Sequence, residues 1–149
     1  MTYRTLLLTA GSALLAAALP ANAGEPAKGT GGAKLSATLT GATEVPGPGD
    51  PDGTGRFSAR VNPGQGQLCY TLTVANIAPA TMAHIHKGAP GVAGPVVVPL
   101  AAPTGGSSEA CATITRELAM ALIKNPQDYY ANVHNAEFPR GAVRGQLAK

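Results

Sequence analysis

The chain has 149 residues, a formal net charge of +3 at pH 7 and only 13% charged residues. A charge this small, carried by scattered rather than clustered Lys and Arg residues, argues against a nucleic-acid-binding protein. Glycine and proline are abundant, at 19 and 13 residues. They recur at short intervals between alternating segments, a pattern typical of an all-β sandwich or barrel.

Residues 1–23 have the features of a secretory signal peptide. Arg4 precedes an apolar run over residues 6–19, and Ala21-Asn22-Ala23 is an A-x-A cleavage site. The run is shorter than the roughly 20 residues of a membrane span, so an uncleaved anchor is the less favoured alternative. We expect an exported protein, periplasmic or secreted, with no membrane span after cleavage. Loss of Arg4 lowers its net charge from +3 to +2.

Residues 24–32 are rich in Gly, Lys and Pro, and we expect them to form a flexible tail before one domain over residues 33–149. Alternating apolar and polar residues predict strands in that domain, most clearly where Leu68, Tyr70 and Leu72 share a face. The predicted strands cover residues 34–40, 56–61, 67–74, 81–86, 95–100, 108–114, 129–134 and 142–147.

One helix is predicted, over residues 116–124. Thr115 can cap it, Glu117 suits its first turn, and Asn125-Pro126 ends it. We expect a short crossover helix that covers one end of the sandwich.

Two cysteines remain in the mature chain, Cys69 and Cys111, each in a predicted strand. An isolated pair in an exported protein favours a disulfide. The alternative, cysteine metal ligands, is less favoured because thiols oxidise outside the cytoplasm.

All three histidines lie in two predicted strands. His84 and His86 are two residues apart, so their side chains project from the same strand face. His134 on another strand would supply a third imidazole nitrogen, a set that suits copper or zinc with an open coordination position. The alternative is a buried hydrogen-bonding network. Met82 shares the face and is a candidate soft ligand for Cu(I), but we assign it to the core.

Glu44 and Arg144 are charged residues in Gly-rich, apolar surroundings. We predict a structural ion pair between them, because a bidentate arginine–carboxylate contact would hold the long loop after residue 40. Glu137 is the alternative carboxylate partner of Arg144. The simplest alternative is that Glu44 and Arg144 are two independent surface charges.

Signatures of catalysis are missing from the sequence. There is no G-x-S-x-G motif and no phosphate-binding glycine loop, and the few carboxylates are scattered across predicted loops. We therefore predict no catalytic residues.

Five segments, taken together, resemble the CHRD domain, the module repeated in the extracellular protein chordin and found alone in bacterial secreted proteins. They are LTGATEVP at 39–46, GTGRF at 53–57, QLCYTLTV at 67–74, AHIHKGAPGVAGPVV at 83–97 and ANVHNAEFPRGAVRGQL at 131–147. The resemblance implies an extracellular β-sandwich without an established enzymatic activity. Ala142 departs from the family, which often has an acid there.

The AHIH segment with a later histidine is also similar to the copper-ligand pattern of Cu,Zn superoxide dismutases. That similarity implies His84, His86 and His134 as ligands, but a fourth copper histidine and the zinc loop are missing. The predicted fold class is an antiparallel all-β sandwich, immunoglobulin-like or Cu,Zn-superoxide-dismutase-like.

Two functions follow from these expectations. The first is an exported, non-catalytic CHRD module with a binding or structural role and an unknown extracytoplasmic partner. The alternative is a periplasmic or secreted protein that binds copper or zinc through the three histidines. With copper bound, such a protein could be redox active.

Overall fold

The computed structural model describes residues 31–149. The predicted signal peptide, residues 1–23, and residues 24–30 of the predicted tail lie outside the described residues.

Eight strands and one α-helix form the described domain, and all nine elements correspond to predicted ones. They are joined mainly by Gly- and Pro-rich loops, and two short 3-10 turns flank strands. In chain order the elements are β1 Ala33–Thr40, β2 Thr54–Asn62, β3 Gln67–Ala75, β4 Ala80–Lys87, β5 Val96–Leu100, β6 Ser107–Thr113, α1 Arg116–Lys124, β7 Tyr129–Asn135 and β8 Val143–Gln146.

The strands form one antiparallel sheet in the order β5-β4-β7-β8-β1-β2-β3-β6. The two edge strands, β5 and β6, contact each other, which shows that the sheet curls round on itself. Two hydrogen bonds support this closure: the Tyr70 hydroxyl accepts from the Ala101 amide at 2.7 Å, and the Ser108 hydroxyl donates to the Ala101 carbonyl at 2.8 Å. The fold is therefore barrel- or sandwich-like, as the predicted all-β class requires.

The core lies inside the curl, where alternate residues of the strands meet. In β1, for example, Leu35, Ala37 and Leu39 are buried while the residues between them are exposed. Phe57 and Tyr70 stack inside the core at 5.8 Å between ring centroids.

Cys69 and Cys111 form a disulfide between β3 and β6, where the two residues are direct partners in the register. The bridge closes a loop over a sequence separation of 42 residues. In the chain-entropy model such a loop contributes about 4 kcal/mol to the free energy of unfolding. It joins the edge strand β6 to the sheet.

Helix α1 begins and ends where the sequence predicts. The Thr115 hydroxyl accepts a hydrogen bond from the Leu118 amide at 3.2 Å, which caps the first turn. Ala119 and Leu122 are buried, and the helix packs against β2. It connects β6 at the sheet edge to β7 in the middle, so it is a crossover helix.

Strand β7 differs from the other strands because all seven of its residues are buried. One face, with Ala131 and Val133, packs into the core. The other face, with Tyr130, Asn132 and His134, is covered by loops. This second buried face carries the polar groups described below.

Gly145 provides a test of the seam between β8 and β1. A β-carbon there would overlap the backbone carbonyl of Thr38 on β1. We expect Gly145→Ala to lower the free energy of unfolding by about 2 kcal/mol or more, measured by urea denaturation. Gly105→Ala is the control, because nothing lies within 4 Å of a β-carbon at Gly105. Equal stability of the two variants would contradict the close packing of β8 on β1.

Candidate metal centre

The outer face of β4, β7 and β8 is polar. In the register, His84 lies opposite Asn132, and His86 lies opposite Tyr130. The next strand continues this face, since Arg144 and Gln146 pair with Asn132 and Tyr130. The residues of this outer face are Met82, His84, His86, Tyr130, Asn132, His134, Arg144 and Gln146.

The three predicted histidines come together on this face. His84 Nδ1 lies 3.3 Å from His134 Nε2, and each of His84, His86 and His134 offers one ring nitrogen such that all three lie within 4.8 Å of one another. Two imidazole nitrogens bound to one tetrahedral zinc ion would be about 3.4 Å apart. The closest pair therefore already has the spacing of two ligands of one ion.

Backbone carbonyls determine which nitrogen of two of the rings carries the proton. His86 Nδ1 lies 2.9 Å from the Gly94 carbonyl, and His134 Nδ1 lies 3.1 Å from the Pro139 carbonyl. A carbonyl oxygen only accepts, so both Nδ1 atoms donate and both Nε2 atoms present a lone pair. Metal-binding histidines are commonly oriented in this way. His86 Nε2 is buried and has no hydrogen-bond partner among residues 31–149.

The surroundings keep the three imidazoles neutral. Burial is the largest cause in each case and lowers the pKa of His84, His86 and His134 from the ordinary value of 6.5. The hydrogen bonds to the Gly94 and Pro139 carbonyls oppose this shift in His86 and His134. Charge repulsion adds to the shift: His134 and His86 disfavour protonation of His84, Arg144 disfavours that of His86, and His86 disfavours that of His134. Neutral imidazole is the form that binds a metal ion.

An aromatic stack holds the His86 ring. It lies parallel to the Tyr130 ring, with 4.8 Å between centroids and 5° between planes. The Arg144 guanidinium carbon lies 3.4 Å from the centroid of the Tyr130 ring, a cation–π contact. The Tyr130 hydroxyl also accepts from the Gly94 amide at 3.1 Å. Tyr130 and Gly94 thus position His86 through two different contacts.

Arg144 anchors the loop that follows β4. Its Nη2 donates to the carbonyls of Ala89 at 3.2 Å and Val92 at 2.9 Å. Gln146 on the same strand donates to the carbonyl of Gly88 at 2.6 Å. These bonds hold the loop over the sheet, which places the Gly94 carbonyl beside His86.

Glu44 is buried beside the same cluster. Its carboxylate accepts a hydrogen bond from the Asn132 side chain and packs against Gly141, where any β-carbon would overlap it. Burial raises the pKa of Glu44 to about 7, although Arg144, the Val45 amide and Asn132 oppose the shift.

Glu44 and Arg144 are both buried, and the charge of Arg144 opposes the rise in the pKa of Glu44; the ion pair between them stays a prediction. Within residues 31–149, the side chains of these two residues form hydrogen bonds with other partners. Glu44 accepts from Asn132, and Arg144 donates to the loop carbonyls of Ala89 and Val92. Glu137, the alternative carboxylate, is exposed.

The prediction that Met82 belongs to the core is wrong. We assigned it to the core, but its side chain is 46% exposed. The core side of β4 is occupied by Ala80, Ala83 and Ile85, so Met82 lies on the histidine face.

Tyr130 and Asn132 belong to the cluster but were not predicted from the sequence. A signal for both exists, because they alternate with His134 along one strand face just as His84 alternates with His86. The Gly94 and Pro139 carbonyls have no such signal, since they are backbone groups brought in by loops.

The fold and site define an antiparallel β-domain that carries a histidine cluster on the outer face of its sheet. The model of the CHRD domain family matches residues 35–147, so the chain belongs to that family, as the resemblance implied. Comparison with curated proteins gives no match, and comparison with solved structures gives none. Within residues 31–149, no helix has the length and apolar character needed to cross a membrane.

Replacing Glu44 by Gln isolates the effect of its ionisation, because the amide oxygen still accepts from Asn132. Since burial raises the pKa of Glu44 from 4.5 to about 7, wild-type protein loses the stability due to this group as pH rises through that window. We expect Glu44→Gln to gain about 1 kcal/mol relative to wild type between pH 5 and pH 8, measured by urea denaturation at both pH values.

The histidines change stability in the opposite direction, because a lowered pKa in the folded state destabilises it as pH falls below 6.5. To a first approximation this contribution is the same in both proteins and cancels in the comparison. The control is Glu137→Gln, which makes the same substitution at an exposed site. A Glu44→Gln difference that does not change with pH would contradict the buried, protonated carboxyl.

Proposed function

We propose that this chain is an exported CHRD-domain protein that binds one copper or zinc ion through His84, His86 and His134. The observation that carries the proposal is the convergence of three neutral imidazoles, two of them oriented by backbone carbonyls. Imidazole ligands suit both copper and zinc.

A hydrogen-bonding network explains the cluster less well than a metal site does. His134 Nε2 accepts in the tautomer that Pro139 imposes, so His84 Nδ1 can donate to it. The same explanation leaves His86 Nε2 buried without a partner in the part of the chain that the structure describes. An unsatisfied buried polar group costs about 1–3 kcal/mol, and a bound cation would remove that cost.

Export is part of the proposal. It is supported by the predicted signal peptide over residues 1–23, by the Cys69–Cys111 disulfide, which fits an oxidising compartment, and by the family. Three protein ligands would leave an open coordination position, but no catalytic group is assigned, and the proposed role is metal binding.

A second candidate is a non-catalytic module whose partner is macromolecular. It is favoured by the dense hydrogen bonding of Arg144, Gln146 and Asn132 to loops, which holds the polar face together without an ion. In that case the histidines have a structural role only.

Titration of the purified protein with Cu(II) and Zn(II), followed by calorimetry and elemental analysis, separates the two candidates. We expect one ion per chain, and loss of at least about 10–100-fold in affinity in His84→Ala, His86→Ala and His134→Ala. Metal at 100 times the wild-type Kd should also raise the free energy of unfolding by about 2.7 kcal/mol in wild type and by about 1.4 kcal/mol or less in the three histidine variants. The histidine variants lose affinity because each lacks one of the three ligands.

Lys87→Ala is the control, because Lys87 is exposed and next to His86 on β4; its affinity should equal that of wild type. Absence of binding in wild-type protein would refute the metal site and leave the macromolecular module. Binding that survives all three histidine substitutions would refute the assigned ligands.

A further inference from the structure

We infer that Met82 is a fourth ligand of the histidine centre and that it engages when the ion is Cu(I). The inference rests on the proposed function and adds the identity of one ligand and the oxidation state that it favours. Its starting point is an apolar side chain that is 46% exposed on the strand face that carries the three imidazoles.

The register places Met82 beside the centre. It is the direct cross-strand partner of His134, and it lies two residues before His84 on β4. Direct partners on one sheet face have Cβ atoms about 4.5–5.5 Å apart, and positions two apart along a strand are about 6–7 Å apart. A methionine side chain has three rotatable bonds, which gives its sulfur freedom to turn toward either histidine.

Along the histidine face, burial decreases from His86 toward Met82. His86 is enclosed by Tyr130 and the loop that contains Gly94, whereas Met82 is open to solvent. A ligand supplied by the protein in addition to the three imidazoles would therefore come from the Met82 end.

The chemistry of a thioether makes this ligand selective. Sulfur of methionine is neutral and soft, and it prefers Cu(I) over Cu(II) and Zn(II). Three imidazoles alone bind all these ions, with water completing the shell of Zn(II). Addition of Met82 should therefore strengthen binding of Cu(I) and leave Zn(II) nearly unaffected.

Met82→Leu tests the inference, with Met120→Leu as the matched control. Met120 is similarly exposed, at 51%, but lies on α1. The purified proteins are titrated anaerobically with Cu(I) in competition with a chromophoric Cu(I) chelator, and separately with Zn(II). We expect Met82→Leu to weaken Cu(I) binding by about tenfold or more and to leave Zn(II) affinity at the wild-type value, while Met120→Leu changes neither.

X-ray absorption of the Cu(I) forms supplies a second readout. A sulfur scatterer should be present in wild type and in Met120→Leu and absent in Met82→Leu. If wild type shows only nitrogen and oxygen scatterers, and Met82→Leu keeps its Cu(I) affinity, the inference is overturned while histidine-dependent metal binding stands. If wild type binds neither Cu(I) nor Zn(II), the proposed function fails as well.

Discussion

The burial of β7 on both faces is the constraint on which the rest of the structure depends. A central strand that is packed into the core on one side and covered by loops on the other takes Asn132 and His134 out of water. Buried polar groups need hydrogen-bond partners. The partners come from three loops, which contribute Glu44 to Asn132, the Pro139 carbonyl to His134 and the Gly94 amide to Tyr130 on the same face. The loops that close the site are thus the same loops that orient its rings.

Electrostatics on this face follow from the same burial. Desolvation lowers the pKa of the histidines and raises that of Glu44, so each group is pushed toward its neutral form. Arg144 remains the buried cation, and Tyr130 lies on the strand between it and His86. A cluster of neutral imidazoles carries no negative charge, so it would bind a metal cation through the lone pairs of its ring nitrogens.

Membership of the CHRD family defines the fold, and the site has to be argued from its own residues. The histidine cluster lies on the outer face of the sheet, and the side chains on that face are the ones from which its function is argued. Its position between covered and open surface would give the proposed ion ligands fixed by the loops and access from solvent. This combination is the reason that we propose metal binding rather than a purely structural role.

Local patterns in the sequence determined the elements and the faces of their side chains. The cap at Thr115 and the Asn125-Pro126 stop predicted α1, and the two-residue period placed His84 and His86 on one face, because these features depend on neighbours in the chain. Only the tertiary structure decided that β7 lies beside β4, which joins His134 to His84 across 50 residues. It likewise decided the tautomers and the exposure of Met82. Strand order and loop coverage depend on contacts between distant segments, and no local pattern encodes them.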